Sequence, residues 1–242
     1  MKKQTSIILL LLTFLLVNVD SVTAQQKHEY VDLGLPSGTL WTTCNVDADN
    51  PEDAGDYFAW GETEPKDTYS WNNYKHGNVS DFDVSKKYNR TDSHINLAPV
   101  DDAATVNWGC DWRMPTADER DALISKCYWV WTSNYKEHSC NGYIVYKALK
   151  ESDKGVKIYD GKTTDIAYSP DMVAHIFLPA AGWKDNDGKT SGAGFYGYYW
   201  SSSLDSDVLS ARGFSFYSSS VFASYYFIRS YGRSVRPVRR SN

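Results

Sequence analysis

Residues 197–238 read GYYWSSSLDSDVLSARGFSFYSSSVFASYYFIRSYGRSVRPV, and the spacing of their aromatic side chains sets the fold class. Phe214 and Phe216 stand two apart among Gly213, Ser215 and Tyr217, the period of a strand with one buried face. Ala211, Phe214 and Phe216 are expected toward a core, and Gly213, Ser215 and Tyr217 toward the outside. Ser218, Ser219 and Ser220 break the pattern. Phe222, Tyr225, Tyr226, Phe227, Ile228 and Tyr231 then follow too densely for a single buried side. Some of these rings must be exposed, and an exposed aromatic patch is a candidate binding surface. From Leu204 to Arg233 there is no Lys, Glu, Gln, Met or Trp. The remaining Tyr, Ser, Gly and Phe mixture is that of antibody binding loops. Tyr supplies rigid amphipathic area at low entropic cost, and Ser and Gly supply adaptable hydrogen bonding.

Outward from this stretch, Tyr30 to Trp41 reads as strand, Gly/Pro turn and strand, a hairpin entry into a β-rich domain. Asp56-Tyr57-Phe58-Ala59-Trp60-Gly61-Glu62 is expected to be core plus turn, and Thr63 to Asn96 a long irregular loop. Further strands are expected at Trp129–Thr132, Gly142–Ala148, Ile176–Pro179, Gly197–Ser202, Ser210–Phe216 and Ser234–Val238. Two helices interrupt them. One covers roughly Val100 to Trp108, with Asp101 and Asp102 near its positive end. The other begins at Thr116, where Pro115, Thr116 and Glu119 form a capping box and Ala122, Leu123 and Lys126 continue at helical spacing to Cys127. A few helices against many short strands make an α+β domain.

Met1-Lys2-Lys3, the apolar run Ile7 to Val17 and Val22-Thr23-Ala24 have the three parts of a secretory signal peptide, with cleavage expected after Ala24. The apolar run is shorter than the ~20 residues of a transmembrane helix, and no other segment could span a bilayer. The chain is therefore expected to leave by the Sec route for the periplasm, the cell surface or the medium. Residues 25–242 suit one domain, because no linker-like or low-complexity run divides them. The formal charge of the 242-residue chain is −5, which argues against nucleic acid or an anionic membrane as partner. Arg233, Arg236, Arg239 and Arg240 read as a solvated or salt-bridged basic end. Cys44, Cys110, Cys127 and Cys140 allow up to two disulfides or buried free thiols.

Signs of catalysis are sparse. His28, His76, His94, His138 and His175 are scattered, no G-x-S-x-G elbow occurs, and no Cys sits in a C-x-x-C pair. The pairs Asp101/Asp102 and Glu62/Glu64 read as a helix start and a solvated turn rather than an acid/base couple. Asp185-Asn186-Asp187-Gly188 lacks the distal Glu of a calcium loop and reads as an Asx-rich turn. The reading is a binding protein, not an enzyme, with no cofactor or metal.

Several phrases, taken in order, go beyond generic β chemistry: Thr39-Leu40-Trp41, Asp56 to Glu62, Asp101-Asp102-Ala103-Ala104, Trp112-Arg113-Met114-Pro115-Thr116 with Glu119, Phe177 to Gly182, Gly197 to Ser203 and Ser234 to Val238. Over roughly Tyr30 to Arg239 the chain resembles the Fibrobacter succinogenes major paralogous domain family of secreted Bacteroidetes proteins. The resemblance implies a C-type lectin-like fold with a ligand surface on its C-terminal strands. It also implies that Trp112, Arg113, Trp200 and Arg236 hold the fold, the two Arg being paired or bonded to backbone carbonyls.

Ser201 to Val238 is similar, more narrowly, to the variable region of target proteins of diversity-generating retroelements. On that resemblance Gly213, Ser215, Tyr217, Ser220, Phe222, Tyr225, Tyr226, Phe227, Ile228 and Tyr231 are the diversified, ligand-binding positions. The implied partner is a protein or glycan on another cell or on a phage. Two alternatives accompany this reading: a non-diversified adhesin or glycan-binding protein, and an enzyme related to the formylglycine-generating group. In the latter group the working cysteines lie near the domain end, whereas here the last is Cys140.

Overall fold

A computed structural model of the protein describes residues 28–77, 87–89, 93–159 and 167–241, without the side chains of Ser224 and Tyr225. The expected signal peptide lies outside the described residues. In chain order the elements are β1 (Tyr30–Asp32), β2 (Thr39–Thr42), β3 (Tyr57–Phe58), α1 (Ala103–Trp108), α2 (Ala117–Lys126), β4 (Cys127–Thr132), β5 (Gly142–Lys147), β6 (Lys157–Ile158), β7 (His175–Pro179), β8 (Trp183–Lys184), β9 (Thr190–Ser191), β10 (Tyr196–Leu204), β11 (Ser210–Tyr217), β12 (Ser220–Ile228), β13 (Arg233–Ser234) and β14 (Val238–Arg240). Short 3₁₀ turns lie between them. Among the described residues two helices and many short strands make an α+β fold, as the sequence suggests.

The two ends of the described chain meet in a three-stranded sheet, β1–β2–β14, in which Trp41 stands opposite both Val31 and Val238. A four-stranded sheet, β6–β4–β5–β7, is buried on both faces. The third sheet, β12–β11–β10–β13–β3, is built from two consecutive antiparallel hairpins flanked by the short strands β13 and β3. Helix α2 lies against β10, β11 and β12. Its Leu123 and Ile124 join Trp129, Tyr143, Val145, Tyr199, Phe214 and Phe216 in the largest core cluster.

The capping box forms at the start of α2. Thr116 Oγ1 accepts from the Glu119 N–H at 3.3 Å, and Glu119 Oε2 accepts from the Thr116 N–H at 2.9 Å. Arg113 then clamps both carboxylate oxygens of Glu119 at 2.6 Å, and Thr39 donates to it at 2.7 Å, so one carboxylate joins α2 to β2. Burial works against the charged form, but the Arg113, Thr116 and Thr39 donors outweigh it and hold Glu119 at about 2. Arg236 is fully inside and donates to Asn45 Oδ1 and the carbonyls of Thr42, Thr43 and Phe177. Both Arg are therefore paired or bonded to backbone carbonyls, as expected of residues that hold the fold together.

Other expectations need correction. Residues 234–238 are not one strand: β13 and β14 enter different sheets, because Arg236 turns inward to its carbonyls and Pro237 has no N–H for a ladder. The first helix is divided, a 3₁₀ turn at Pro99–Asp101 preceding α1, and Asp102 caps it by accepting from the Ala104 and Thr105 N–H groups. Glu62 is buried rather than solvated, paired to Lys66 at 2.7 Å and accepting from the Lys75 N–H. Arg233 and Arg236 are buried, so of the basic end only Arg239, half-buried, and Arg240 reach solvent. The Asp185–Gly188 segment is the Asx turn expected, joining β8 to β9 with the Lys189 N–H on Asp187 Oδ1 at 2.8 Å.

Candidate binding face

The β10–β11–β12 meander has two unlike sides. On the inner side Tyr199, Phe214 and Phe216 stack against one another and against Trp129, Trp131 and Tyr143. On the outer side the register places Tyr196 opposite Tyr217, which is opposite Ser220; Tyr198 opposite Ser215, which is opposite Phe222; and Trp200 opposite Gly213, which is opposite Tyr225. Ala211 and Phe227 form the next pair. Ala211 is thus on the outer side, packed with Trp200 and Phe227 rather than with Phe214 and Phe216, as strict period two from Gly213 demands.

These rings form a continuous ladder. Tyr196 lies 5.9 Å from Tyr217, Tyr217 5.7 Å from Phe222, Tyr198 5.5 Å from Phe227 and Trp200 5.8 Å from Phe227. Trp183 of β8 extends it, edge-on to Tyr198 at 5.1 Å. It is brought there by the backbone bridge between Lys184 and Gly232. The ladder is wet at one end and dry at the other. Tyr196 is 40% exposed, Tyr217, Ser220 and Phe222 are half-buried, and Trp200, Ala211 and Phe227 are buried.

The ten sequence-derived positions therefore separate. Tyr217, Ser220 and Phe222 share the outer face, and Tyr225 joins it by backbone register, its side chain lying outside the described residues. Tyr226, 65% exposed, and Ile228 are exposed on the opposite side of β12, and Tyr231 is half-buried in the turn before β13. Gly213, Ser215 and Phe227, expected outward, are buried. At Gly213 the reason is a lid: the Phe227 ring lies over it, and an added Cβ would approach that ring within 2.7 Å and the Tyr199 carbonyl within 2.5 Å. Sequence reading missed Trp183, Tyr196, Tyr198 and Arg233. The Tyr196/Tyr198 alternation in β10 could have revealed two of them. Trp183 and Arg233 arrive through separate short strands that no local pattern announces.

Arg233 is the floor of this face. Its guanidinium carbon sits 3.9 Å from the centre of Phe227, 4.8 Å from Tyr198 and 5.2 Å from Trp200. Burial pushes its pKa down to about 9, against which Tyr198 and Tyr231 act weakly.

Elsewhere a cleft of about 630 Å³ is lined in part by Cys44, Tyr135 and His175, the last two in contact at 3.2 Å. Burial raises the Cys44 thiol, which makes it a poor nucleophile. Burial likewise pushes Cys127 up to about 12 and Cys140 up to about 11, and all four cysteines are unpaired. Among the described residues no three His, Cys, Asp or Glu side chains gather as a metal site would require, and no helix is long and apolar enough to cross a membrane.

Over residues 151–238 the chain is similar to a domain of unknown function (DUF8237), a span that takes in β6 to β13 and so the whole aromatic face. No curated protein and no solved structure matches the chain.

Proposed function

We propose that the protein is an exported binding module, a C-type lectin-like scaffold whose β10–β12 face carries a variable contact surface for a protein or glycan on another cell or phage. The observation that carries this reading is the aromatic ladder of Tyr196, Tyr198, Tyr217 and Phe222. It stays accessible on strands whose other side is locked into the main core. Rigid aromatic area on a fixed scaffold gives contact without the ordering cost of a mobile loop. The buried positions narrow the variable set to Tyr217, Ser220, Phe222, Tyr226, Ile228 and Tyr231, together with Tyr225. Gly213, Ser215 and Phe227 belong with the frame.

The test is binding to glycan arrays and to panels of whole bacteria and phage by the exported chain and by a variant with Tyr196, Tyr217 and Phe222 changed to Ala. Loss of every wild-type hit with a nearly unchanged Tm supports the reading. Hits that survive in the variant move the contact surface elsewhere.

A further inference from the structure

Among the described residues four arginines are buried, and three of them are furnished with acceptors. Arg120 donates to the Gly213 carbonyl at 2.7 Å and pairs with Asp121. Arg229 donates to Tyr74 Oη at 3.0 Å and to the carbonyls of Val208 and Tyr88. Arg236 has the four acceptors described above. Arg233 is different. It is only 5% exposed, its Nε and Nη1 are buried without a hydrogen-bond partner, and no carboxylate pairs with it among the described residues. What surrounds it is π surface, from Phe227, Tyr198 and Trp200.

A guanidinium is strongly disfavoured in such a place unless its donors are met, and cation–π contact satisfies its charge but not its N–H groups. A Met or Leu would fill the same volume without that penalty. The position is thus in deficit in the free protein, and the deficit lies within the face proposed above for contact.

We propose that Arg233 is the anchor of this face, receiving one carboxylate from an acidic side chain of a protein partner whose surrounding contact surface is apolar. This rests on the reading of the face as a binding surface and adds its chemistry. A planar carboxylate can meet two guanidinium N–H groups at once. The face offers a single buried positive charge amid aromatic rings, which complements one negative charge amid apolar groups rather than a polyanion, and the net charge of −5 further disfavours a polyanion. A protein surface fits better than a small sugar acid because the face is a three-strand ladder. Tyr, Trp and Arg are the anchors typical of protein interfaces.

The test uses the exported chain labelled with ¹⁵N-arginine, the Arg233 Nε–H resonance being identified by its absence from Arg233→Lys. Sodium acetate should shift that resonance saturably, and sodium chloride at equal ionic strength should not. Arg233→Met should raise the Tm, since it removes a buried charge lacking partners. Twelve-residue peptides selected from a random display library on the wild-type protein should carry Asp or Glu at a fixed place. They should lose at least tenfold in affinity on Arg233→Met or on Asp→Asn exchange in the peptide.

An Arg233 signal unmoved by acetate, or a lower Tm in Arg233→Met, overturns the anchor. So do selected peptides that depend on Tyr217 and Phe222 yet contain no acid, while leaving the binding face standing. Peptides indifferent to Tyr217 and Phe222 overturn the face itself. Tighter binding of 3′-sialyllactose than of any selected peptide, lost in Arg233→Met, replaces the protein acid by a sugar acid and overturns the partner class.

Discussion

The inner and outer sides of the β10–β12 meander are made from the same residue types and do different things. On the inner side Tyr199, Phe214 and Phe216 are fully buried, and the Tyr199 hydroxyl is met by the Pro179 carbonyl at 2.9 Å. On the outer side Tyr196, Tyr217 and Phe222 form a chain of ring contacts but keep part of their surface in water, and farther along the ladder the Arg233 cation against Tyr198, Trp200 and Phe227 has its Nε and Nη1 without acceptors. What separates the two sides is cover. Helix α2 and the β4–β5 strands close the inner side, whereas on the outer side a second core cluster covers Trp200, Ala211 and Phe227 and the β8 tryptophan touches Tyr198, leaving Tyr196, Tyr217 and Phe222 only partly covered. Aromatic content alone therefore does not distinguish a core from a contact surface. The distinction lies in what the rest of the chain places over the rings.

The largest effect expected from breaking this comparison is on the inner side. Phe216→Ala removes a ring packed on Trp131, Tyr143 and Tyr199 and leaves a cavity that α2 and β5 hold open. The cost should be about 3–5 kcal/mol in denaturant unfolding. A loss below about 1 kcal/mol would mean that the inner side is free to collapse or is wet, and so is no core.

Gly213 sits between the two sides and sharpens the comparison. Its added Cβ would meet the Tyr199 carbonyl and the Phe227 ring, so Gly213→Ala should destabilise by roughly 1–3 kcal/mol through overpacking. If that variant melts with the wild type, Gly213 can vary freely and returns to the contact set.

The frame beneath both sides should show in acid. Glu119 is held at about 2 in the folded chain, against an ordinary value near 4.5. A depressed carboxylate contributes stability that is present above its unfolded pKa and lost as pH falls toward its folded one. Unfolding free energy should therefore drop by ~3 kcal/mol between about pH 5 and pH 2 on account of this group. Asp101 adds to the same slope: burial alone would raise it, but its bonds from Lys87, Lys75 and Tyr88 outweigh that and lower it. Glu119→Gln should flatten the slope, and a variant whose acid profile superimposes on the wild type would remove Glu119 from this role.

How far the sequence discloses this architecture depends on whether the deciding contacts are local. The α2 start is legible because the capping box spans four consecutive residues. The Phe214/Phe216 alternation is legible because a strand's pleat is written in neighbouring residues. Glu62, Ser215, Phe227 and Arg233 are not legible in this way, since the burial of Glu62 is set by Lys66 and Lys75, that of Ser215 by Tyr198 and Phe222, and that of Phe227 and Arg233 by packing with the β10 rings Tyr198 and Trp200 and with each other. A polar or aromatic residue gives no sign of its cover when the cover arrives from a distant segment. The candidate face is therefore legible as a composition and a stretch of chain. Its membership is not, because bulges in β10–β11 and β11–β12 shift the pairing that assigns each side chain to a side.

The smallest expected effect belongs to the residues that composition marks most clearly. Tyr226 is 65% exposed and Ile228 lies beside it on the open side of β12, opposite Arg212 and Ser210. Neither closes a core cluster, so Tyr226→Ala and Ile228→Ala should each shift stability by no more than ~0.5 kcal/mol. The loss of β propensity at an edge strand is the main term to consider, and it has the same small size. Differential scanning calorimetry of the two variants beside Phe216→Ala gives the contrast directly. Two near-neutral substitutions within twelve residues of a severe one, on one continuous meander, would locate the boundary between structure and surface in the backbone register. If instead Tyr226→Ala approached Phe216→Ala in cost, Tyr226 would be covered by something in solution, and the open side of β12 would itself be an interface.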